Sequence, residues 1–187
     1  MAAKTGSLSI NSENIFPIIK KWLYSDHDIF YRELISNGCD AITKLKKLEL
    51  MGEFVKPEEL EYKIQVTVDS NAKTISVEDN GIGMTSEEVE EYINQIAFSG
   101  AQDFLEKYKD KANEDQIIGH FGLGFYSAFM VASRVEVTTK KYGEETAYLW
   151  SSNAVDGYSI DECEKDEHGT QIVLYLKDNT EDENYDE

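Results

Sequence analysis

The chain has 187 residues and a formal net charge of −19 at pH 7, with 37 acidic against 18 basic residues. Its length and its 41% hydrophobic content predict a single domain with a substantial core. Free nucleic acid is excluded as an expected partner, because binding its phosphates needs a basic surface. A phosphorylated ligand would have to be held by backbone N–H groups, a helix N-terminus or a bound cation.

The sequence carries no signal for export, membrane insertion or structural metal binding. No run is long and apolar enough to span a bilayer and no signal peptide is present, so a cytoplasmic protein with no membrane partner is expected. Cys39 and Cys163 form no CxxC pair and predict neither a disulfide framework nor a zinc site. His27, His120 and His168 share no ligand spacing and are interpreted as ordinary polar or partly packed histidines.

Apolar spacing predicts helices in the first part of the chain. Asn14 can cap a first helix, with Pro17 in its opening turn. A second helix is predicted from about Ile29 to Leu50. Its apolar stripe consists of Leu34, Ile35, Ile42 and Leu45. A turn with a short helix after Pro57 is expected between Glu53 and Leu60.

A β-hairpin and two more helices are predicted next. Apolar residues alternate in Tyr62–Val68 and in Thr74–Glu78, which is typical of two paired strands. The segment Thr85–Glu88 has the pattern of a capping box and opens a helix that continues to about Gln95. A further short helix is expected over Ala101–Lys109.

The second half of the chain is predicted to be mainly strands. After a helical run over Phe125–Val131, the strand-like stretches are Val135–Lys140, Thr146–Ser151, Gly157–Ile160 and Thr170–Leu176. Helices followed by antiparallel strands predict an α+β fold with helices on one sheet face. The last ten residues, Asp178–Glu187, contain six acids and no base, which predicts a disordered tail or linker after a domain spanning 1–177.

The first candidate site motif lies on the second predicted helix. Glu33, Asn37 and Asp40 are spaced i, i+4 and i+7, so a helix projects all three from one side. A carboxylate can act as a base, a carboxamide oxygen can bind a hard cation and a second carboxylate can hold waters. The alternative is a solvated face on which Glu33 pairs with Lys44 or Arg32, and this motif taken alone favours that alternative.

The second motif is the segment Asp79–Met84. Asp79 directly follows an apolar strand at a position where alternation points the side chain towards the core, and a buried carboxylate needs donors such as a ligand amine. Gly81 and Gly83 would let the backbone approach a flat ligand or adopt a positive φ. An Asx turn that merely ends the strand explains the same residues equally well.

The third motif is a glycine-rich loop ahead of a helical run. Gly119, Gly122 and Gly124 would present backbone N–H groups and a positive helix end to an anion. No Gly-Lys-Ser/Thr follows, so the loop is not a P-loop. No βαβ unit surrounds it, so it is not a dinucleotide-binding fingerprint either.

Taken in order, the three motifs resemble the ATP-binding fold of DNA gyrase B subunits, mismatch-repair MutL proteins, sensor histidine kinases and ninety-kilodalton heat-shock chaperones. Longer strings are similar to the N-terminal domain of the chaperones in their bacterial, high-temperature protein G form. These strings are Phe30–Asn37, Ile96–Gly100 and Gly119–Phe129. The resemblance implies a two-layer α/β sandwich, with helices on one face of a mostly antiparallel mixed sheet, and covers about 11–176.

The resemblance also implies roles for the polar helix face. Glu33 would polarise the water that attacks the γ-phosphate of ATP, which makes the protein an ATPase. Asn37 would complete the coordination of Mg²⁺, an ion that takes few protein ligands. Asp40 would order waters around the ribose and adenine.

Further roles fall on the other two motifs. Asp79 would accept a hydrogen bond from the exocyclic amine of adenine, with Thr170 and Gly83 joining through waters. Met84 and Phe125 would form walls of the pocket. Backbone N–H groups from Gly119 to Phe125, including those of Gly122 and Gly124, would hold the phosphates of ATP or ADP.

At the level of the whole molecule, the resemblance implies an ATP-dependent chaperone that assists protein folding in the stress response. Its partners would be unfolded clients and, in a longer parent protein, a second copy of itself. Closure of a lid over about 96–118 would be coupled to that dimerisation. The chain is expected to be a monomeric fragment that binds nucleotide but hydrolyses it very weakly, because an arginine from the next domain contributes to the reaction in the family.

Two positions depart from the family pattern, and both lie on the lid side of the expected pocket. Tyr92 stands where the family has an asparagine, and Phe98 where it has a lysine. His120 and Leu123 are milder departures from glutamine and valine. The ribose and phosphate contacts are the ones these changes affect.

Three rival functions follow from the same motifs. A histidine kinase would transfer phosphate to a partner histidine and would not need a base at Glu33. A gyrase or MutL ATPase is possible by motif, although the charge of −19 and the longer strings argue against it. A nucleotide-sensing module without hydrolysis would leave Glu33 with a structural role only.

Overall fold

The computed structural model describes residues 3–6, 29–98, 128–129, 131–153 and 156–178. Two helices have both of their ends within these ranges, α1 (Ile29–Leu50) and α2 (Ser86–Phe98). The strands are β1 (Lys4–Gly6), β2 (Ile64–Asp69), β3 (Thr74–Asp79), β4 (Ala132–Lys140), β5 (Ala147–Ser152), β6 (Tyr158–Cys163) and β7 (Gly169–Leu176).

The strands form one seven-stranded sheet in the order β1-β6-β5-β4-β7-β3-β2. All six described strand pairs are antiparallel. Helix α1 packs against β2, β3 and β7. The predicted α+β architecture, with a helix layer on a mostly antiparallel sheet, is confirmed.

The sequence of α1 explains both its inward face and its end. Leu34 and Leu45 are fully buried and Ile42 nearly so, as the apolar spacing predicted. After Leu50 the chain turns at Gly52, whose φ is +75°. There the Gly52 N–H donates to Glu49 O and the Glu53 N–H to Leu48 O, which satisfies two carbonyls of the last helical turn.

The hairpin of β2 and β3 has its register set by the turn between them. Ile64 pairs with Asp79 at one end, and Asp69 pairs with Thr74 at the other. Asp69 Oδ1 accepts hydrogen bonds from the N–H groups of Asn71 and Ala72, each at 2.9 Å. This Asx turn fixes the register, which in turn brings Asp79 to the end of the sheet beside α1.

Helix α2 begins with the predicted capping box. The Glu88 N–H donates to Thr85 Oγ1 at 3.2 Å, and the Thr85 N–H donates to Glu88 Oε2 at 2.8 Å. The helix continues to Phe98, three residues past the expected end at Gln95.

The core lies between the helix layer and the middle of the sheet. Alternate residues of β4 and β7 are buried, which is the pattern of strands with one face packed. Large side chains of the sheet that are completely buried include Val135, Val137, Thr139, Trp150 and Leu174.

Several predicted elements differ from those observed. The residues after Pro57 form a single turn, with the Leu60 N–H donating to Pro57 O, and the expected short helix is wrong. Pro57 is followed by two glutamates, so a helix here would have no apolar face to bury. Extending the single turn into a helix would therefore gain no packing energy. Strand β1 was not predicted, because three residues carry too little pattern.

Other predicted elements lie outside the described residues. They are the helix capped by Asn14, the helix over Ala101–Lys109, most of the run Phe125–Val131 and the tail beyond Asp178. Ala128 and Phe129 of that run are helical and buried. Within the described ranges, no helix is both long and apolar enough to cross a bilayer.

We expect Gly83→Ala to destabilise the fold more than Gly143→Ala. Both glycines have positive φ, +72° and +87°, so each substitution costs about 1–2 kcal/mol for the left-handed backbone. A Cβ at Gly83 would lie 1.9 Å from Lys140 O, whereas one at Gly143 meets nothing within 4 Å. The overlap should add about 1–3 kcal/mol, measured as the free energy of unfolding in urea. Equal losses in the two variants would contradict the close approach.

Candidate functional site

The polar face of α1 carries the first set of candidate residues. Glu33 and Asn37 are half-buried, and Asp40 is exposed. Burial raises the pKa of the Glu33 carboxyl, and the negative charge of Asp40 raises it further. A carboxylate with a raised pKa is a better proton acceptor near neutral pH than an ordinary surface glutamate.

Gly38 is what lets this face come close to the sheet. A Cβ at Gly38 would lie 3.1 Å from Ile64 Cδ1 and 3.4 Å from Asp79 Cβ. Any larger side chain would therefore push α1 away from the ends of β2 and β3. The first two sequence motifs, which are 39 residues or more apart in the chain, meet because of this glycine.

Asp79 is buried at the end of β3, with 9% of its surface exposed. Its Oδ1 accepts a hydrogen bond from the Gly81 N–H at 2.9 Å, so Asp79 does form the Asx turn that was considered as the alternative to a ligand site. Burial raises the pKa of this carboxyl to about 6, although backbone N–H groups of Gly81 and Thr170 and the charge of Lys165 oppose the rise. An Asx turn alone does not require a buried carboxylate, and the burial is what favours a ligand at this position.

The loop after Asp79 is tied to both layers of the fold. The Ile82 N–H donates to Ala41 O of α1 at 3.1 Å, and the Tyr142 N–H donates to Ile82 O at 2.7 Å. The Met84 N–H donates to Thr139 Oγ1 of β4 at 3.0 Å. Gly81 packs against the backbone of Ala41, where a Cβ would come within 2.6 Å. The loop is thus a rigid part of the site.

Two polar side chains hold the same loop from its other side. Asn80 Nδ2 donates to Glu61 O at 2.7 Å, and Asn80 Oδ1 accepts from the Lys63 N–H at 2.9 Å. His168 Nδ1 lies 2.7 Å from Gly81 O, and because a carbonyl only accepts, Nδ1 carries the proton. The sequence contained no spacing that could have found His168, since the contact spans 87 residues.

Thr170 lies beneath Asp79 on the neighbouring strand. The two residues face each other in the register of β3 and β7, and Thr170 is 6% exposed. Its hydroxyl is 2.9 Å from that of Thr139, which also donates to Gly169 O at 3.2 Å. Thr139 was not predicted as a site residue, although its place in an alternating strand is the signal that could have found it.

Tyr92 joins α2 to the polar face of α1. Asn37 Nδ2 donates a hydrogen bond to the Tyr92 hydroxyl at 2.5 Å. Burial raises the pKa of the Tyr92 phenol above its usual range, and the charges of Glu33, Asp40 and Asp79 raise it further. The phenol therefore contacts Asn37 directly, and the three carboxylates are near enough for their charges to act on it.

The remaining candidates are less completely described. Gly83 and Met84 lie in the loop above, with Gly83 against Lys140 O and Met84 partly buried. Gly119, Gly122, Gly124 and Phe125 lie outside the described residues, as does the lid from 99 to 118. Residues 96–98 continue α2.

Comparison with known proteins identifies the family. Residues 30–170 match the model of the histidine kinase-, DNA gyrase B- and HSP90-like ATPases. The chain is similar to the chaperone protein HtpG of Porphyromonas gingivalis, with 54% identity over 93% of this chain and 25% of that protein. HtpG of Bacteroides thetaiotaomicron is 55% identical over 92% of this chain and 25% of its own length.

A more distant relative agrees with these two. HtpG of Campylobacter jejuni is 50% identical over 83% of this chain and 26% of that protein. The chain spans about a quarter of the length of the curated relatives that it matches. The buried Asp79 beside a polar helix, together with the match over 30–170, shows that the chain belongs to the histidine kinase-, DNA gyrase B- and HSP90-like ATPase family.

Proposed function

We propose that this chain binds ATP and ADP with Mg²⁺, hydrolyses ATP weakly and serves as the nucleotide-binding domain of an ATP-dependent chaperone. The observation that carries the proposal is the approach of the Glu33, Asn37 and Asp40 face to the buried Asp79 across Gly38. A base, a cation ligand and an acceptor for a nucleobase amine then border one space. Family membership supports the same chemistry.

Asp79 would select adenine. Backbone N–H groups of Gly81 and Thr170 already donate to this carboxylate, yet burial still raises its pKa to about 6, so a further donor would stabilise the charged form. The exocyclic amine of adenine would supply such a donor. Guanine offers a carbonyl oxygen at that position, and two facing acceptors would cost about 1–3 kcal/mol. Thr170 and Gly83, close to Asp79 in the fold, would join through waters.

Asn37 has the chemistry of a Mg²⁺ ligand. Because its Nδ2 is engaged by Tyr92, its Oδ1 is the end left for a cation, and an amide oxygen is a donor that Mg²⁺ accepts. No group of three or more His, Cys, Asp or Glu forms a ligand cluster in the part of the chain described. Bound Mg²⁺ would neutralise charge on the β- and γ-phosphates, taking its other ligands from phosphate oxygens and water.

Glu33 would act as the base for hydrolysis. It would take a proton from a water while the water oxygen forms a bond to the γ-phosphorus. The bond from that phosphorus to the β–γ bridging oxygen breaks, and ADP leaves with the electron pair. Asp40 would order waters beside the ribose and adenine. Met84 and Phe125 would wall the pocket.

The phosphates would be held without a basic patch. The chain has a net charge of −19, so long-range attraction of ATP is not available to it. Backbone N–H groups from Gly119 to Phe125, including those of Gly122 and Gly124, would instead donate hydrogen bonds to the phosphates at the start of a helix. Mg²⁺ bound with the nucleotide would reduce the repulsion further.

The chaperone role rests on the relatives named HtpG. We propose a domain over 1–177 followed by a linker, a lid over about 96–118 and, in a longer parent protein, dimerisation coupled to lid closure. Clients would be unfolded or partly folded proteins, in the cytoplasm. The isolated chain would be a monomer.

Replacing Asp79 by Asn should abolish detectable ADP binding in isothermal titration calorimetry, because the amide presents a donor to the adenine amine. The matched control is Asp69→Asn, which changes another strand-end aspartate whose Oδ1 also accepts a backbone N–H. Asp69 is exposed at the far end of the hairpin, and its variant should bind normally. Near-normal affinity of Asp79→Asn would refute the adenine site.

Affinity for ADP should fall about tenfold between pH 7 and pH 5, since Asp79 has a pKa of about 6 and binds adenine as the carboxylate. The same titration with adenosine, which has no phosphate to ionise, should give the same trend.

Because the pKa is raised in the folded state, Asp79 adds stability below about pH 4 that is lost as pH rises through 6. A flat adenosine profile would contradict the assignment.

Replacing Glu33 by Ala should leave the Kd for ADP within about threefold, while single-turnover release of phosphate from ATP slows by about 10²–10⁴-fold. Glu144→Ala, an exposed glutamate in the turn between β4 and β5, is the control. Unchanged hydrolysis in the Glu33 variant would favour the sensing module in which this residue is structural. Transfer of phosphate to a histidine would favour the kinase alternative.

A further inference from the structure

The contact between Asn37 and Tyr92 joins two elements that are distant in the chain. Asn37 lies in the middle of α1 and Tyr92 lies in α2, 55 residues later. Val89, one helical turn before Tyr92, is completely buried, so this side of α2 faces the interior. The Tyr92 side chain thus meets the polar face of α1, where its hydroxyl contacts Asn37.

The hydrogen bond has a direction that matters for Asn37. A carboxamide has one donor end and one acceptor end. Nδ2 is the end that donates to the Tyr92 hydroxyl at 2.5 Å, so Oδ1 points the other way. Without the Tyr92 hydroxyl as an acceptor, the amide could rotate by half a turn about its last side-chain bond. The partly positive N–H hydrogens of Nδ2 would then face the cation and repel it.

The position of Tyr92 also relates to the departure noted in the sequence. An asparagine at this place, as in the family pattern, is shorter by most of an aromatic ring. The phenol of Tyr92 spans that distance and reaches the α1 face directly. Its hydroxyl contacts Asn37 at 2.5 Å, and the charges of Glu33, Asp40 and Asp79 all act on it.

We propose that Tyr92 is a positioning residue for the metal–nucleotide complex: its hydroxyl holds the Asn37 carboxamide with Oδ1 directed at the bound Mg²⁺. The inference rests on the proposed function of the site and deepens it. In this role the Tyr92 hydroxyl fixes the orientation of a cation ligand. A tyrosine that only filled space would need its ring but not its hydroxyl.

The test measures ADP binding by calorimetry under two conditions, with MgCl₂ at millimolar concentration and with EDTA in place of Mg²⁺. In Tyr92→Phe, which keeps the ring, the Mg²⁺-dependent gain in affinity should shrink by about tenfold or more, as is usual when a hydrogen bond to a metal ligand is lost. Affinity in EDTA should stay within about threefold of the unsubstituted chain. The control Tyr175→Phe removes a hydroxyl that donates to Glu136, and it should change neither value.

A double-mutant cycle with Asn37→Ala completes the experiment. Asn37→Ala alone should lose the Mg²⁺-dependent gain, and adding Tyr92→Phe should lower it no further, because the hydroxyl acts only through Asn37. Equal losses with and without Mg²⁺ would identify Tyr92 as a packing residue and overturn the proposal, as would an unchanged gain. If the unsubstituted chain bound no ADP under either condition, the proposed function itself would fail, a result distinct from both.

Discussion

The close approach of α1 to the end of β3 is the constraint on which the site depends. Gly38 allows it, because a Cβ there would already lie 3.1 Å from Ile64 and 3.4 Å from Asp79. The Asp79 carboxylate is buried by that approach, and its pKa rises to about 6. The fold therefore buries a carboxylate whose charged form would be more stable in water. Function is the usual reason for such a cost.

The loop from Asp79 to Met84 makes this arrangement rigid. Its backbone is bonded to Ala41 of α1, to Tyr142 after β4 and to the Thr139 hydroxyl. A ligand would meet groups already in position and would not have to order them, which saves entropy on binding. The polar face of α1 is fixed in the same way, through the bond between Asn37 and Tyr92.

Local patterns predicted much of this, and long-range contacts account for what they missed. The α1 helix, the hairpin and the capping box of α2 follow from periodicity and from hydrogen bonds within a few residues. The loop's anchors on Thr139 and His168 connect segments 55 and 87 residues apart, which no local pattern encodes. Tyr92 was interpreted as the loss of a polar contact, yet its hydroxyl bonds Asn37. The roles of Gly119, Gly122, Gly124 and Phe125 stay predictions.

The central claim is that the buried Asp79 carboxylate recognises the amine of adenine. Parallel calorimetric titrations of the unsubstituted chain with Mg²⁺–ADP and Mg²⁺–GDP test it most directly, because the two ligands carry the same phosphates and ribose. Facing acceptors would cost GDP about 1–3 kcal/mol, so its affinity should be roughly 5- to 150-fold lower than that of ADP. Equal affinities would show that the phosphates alone carry binding and would contradict the account.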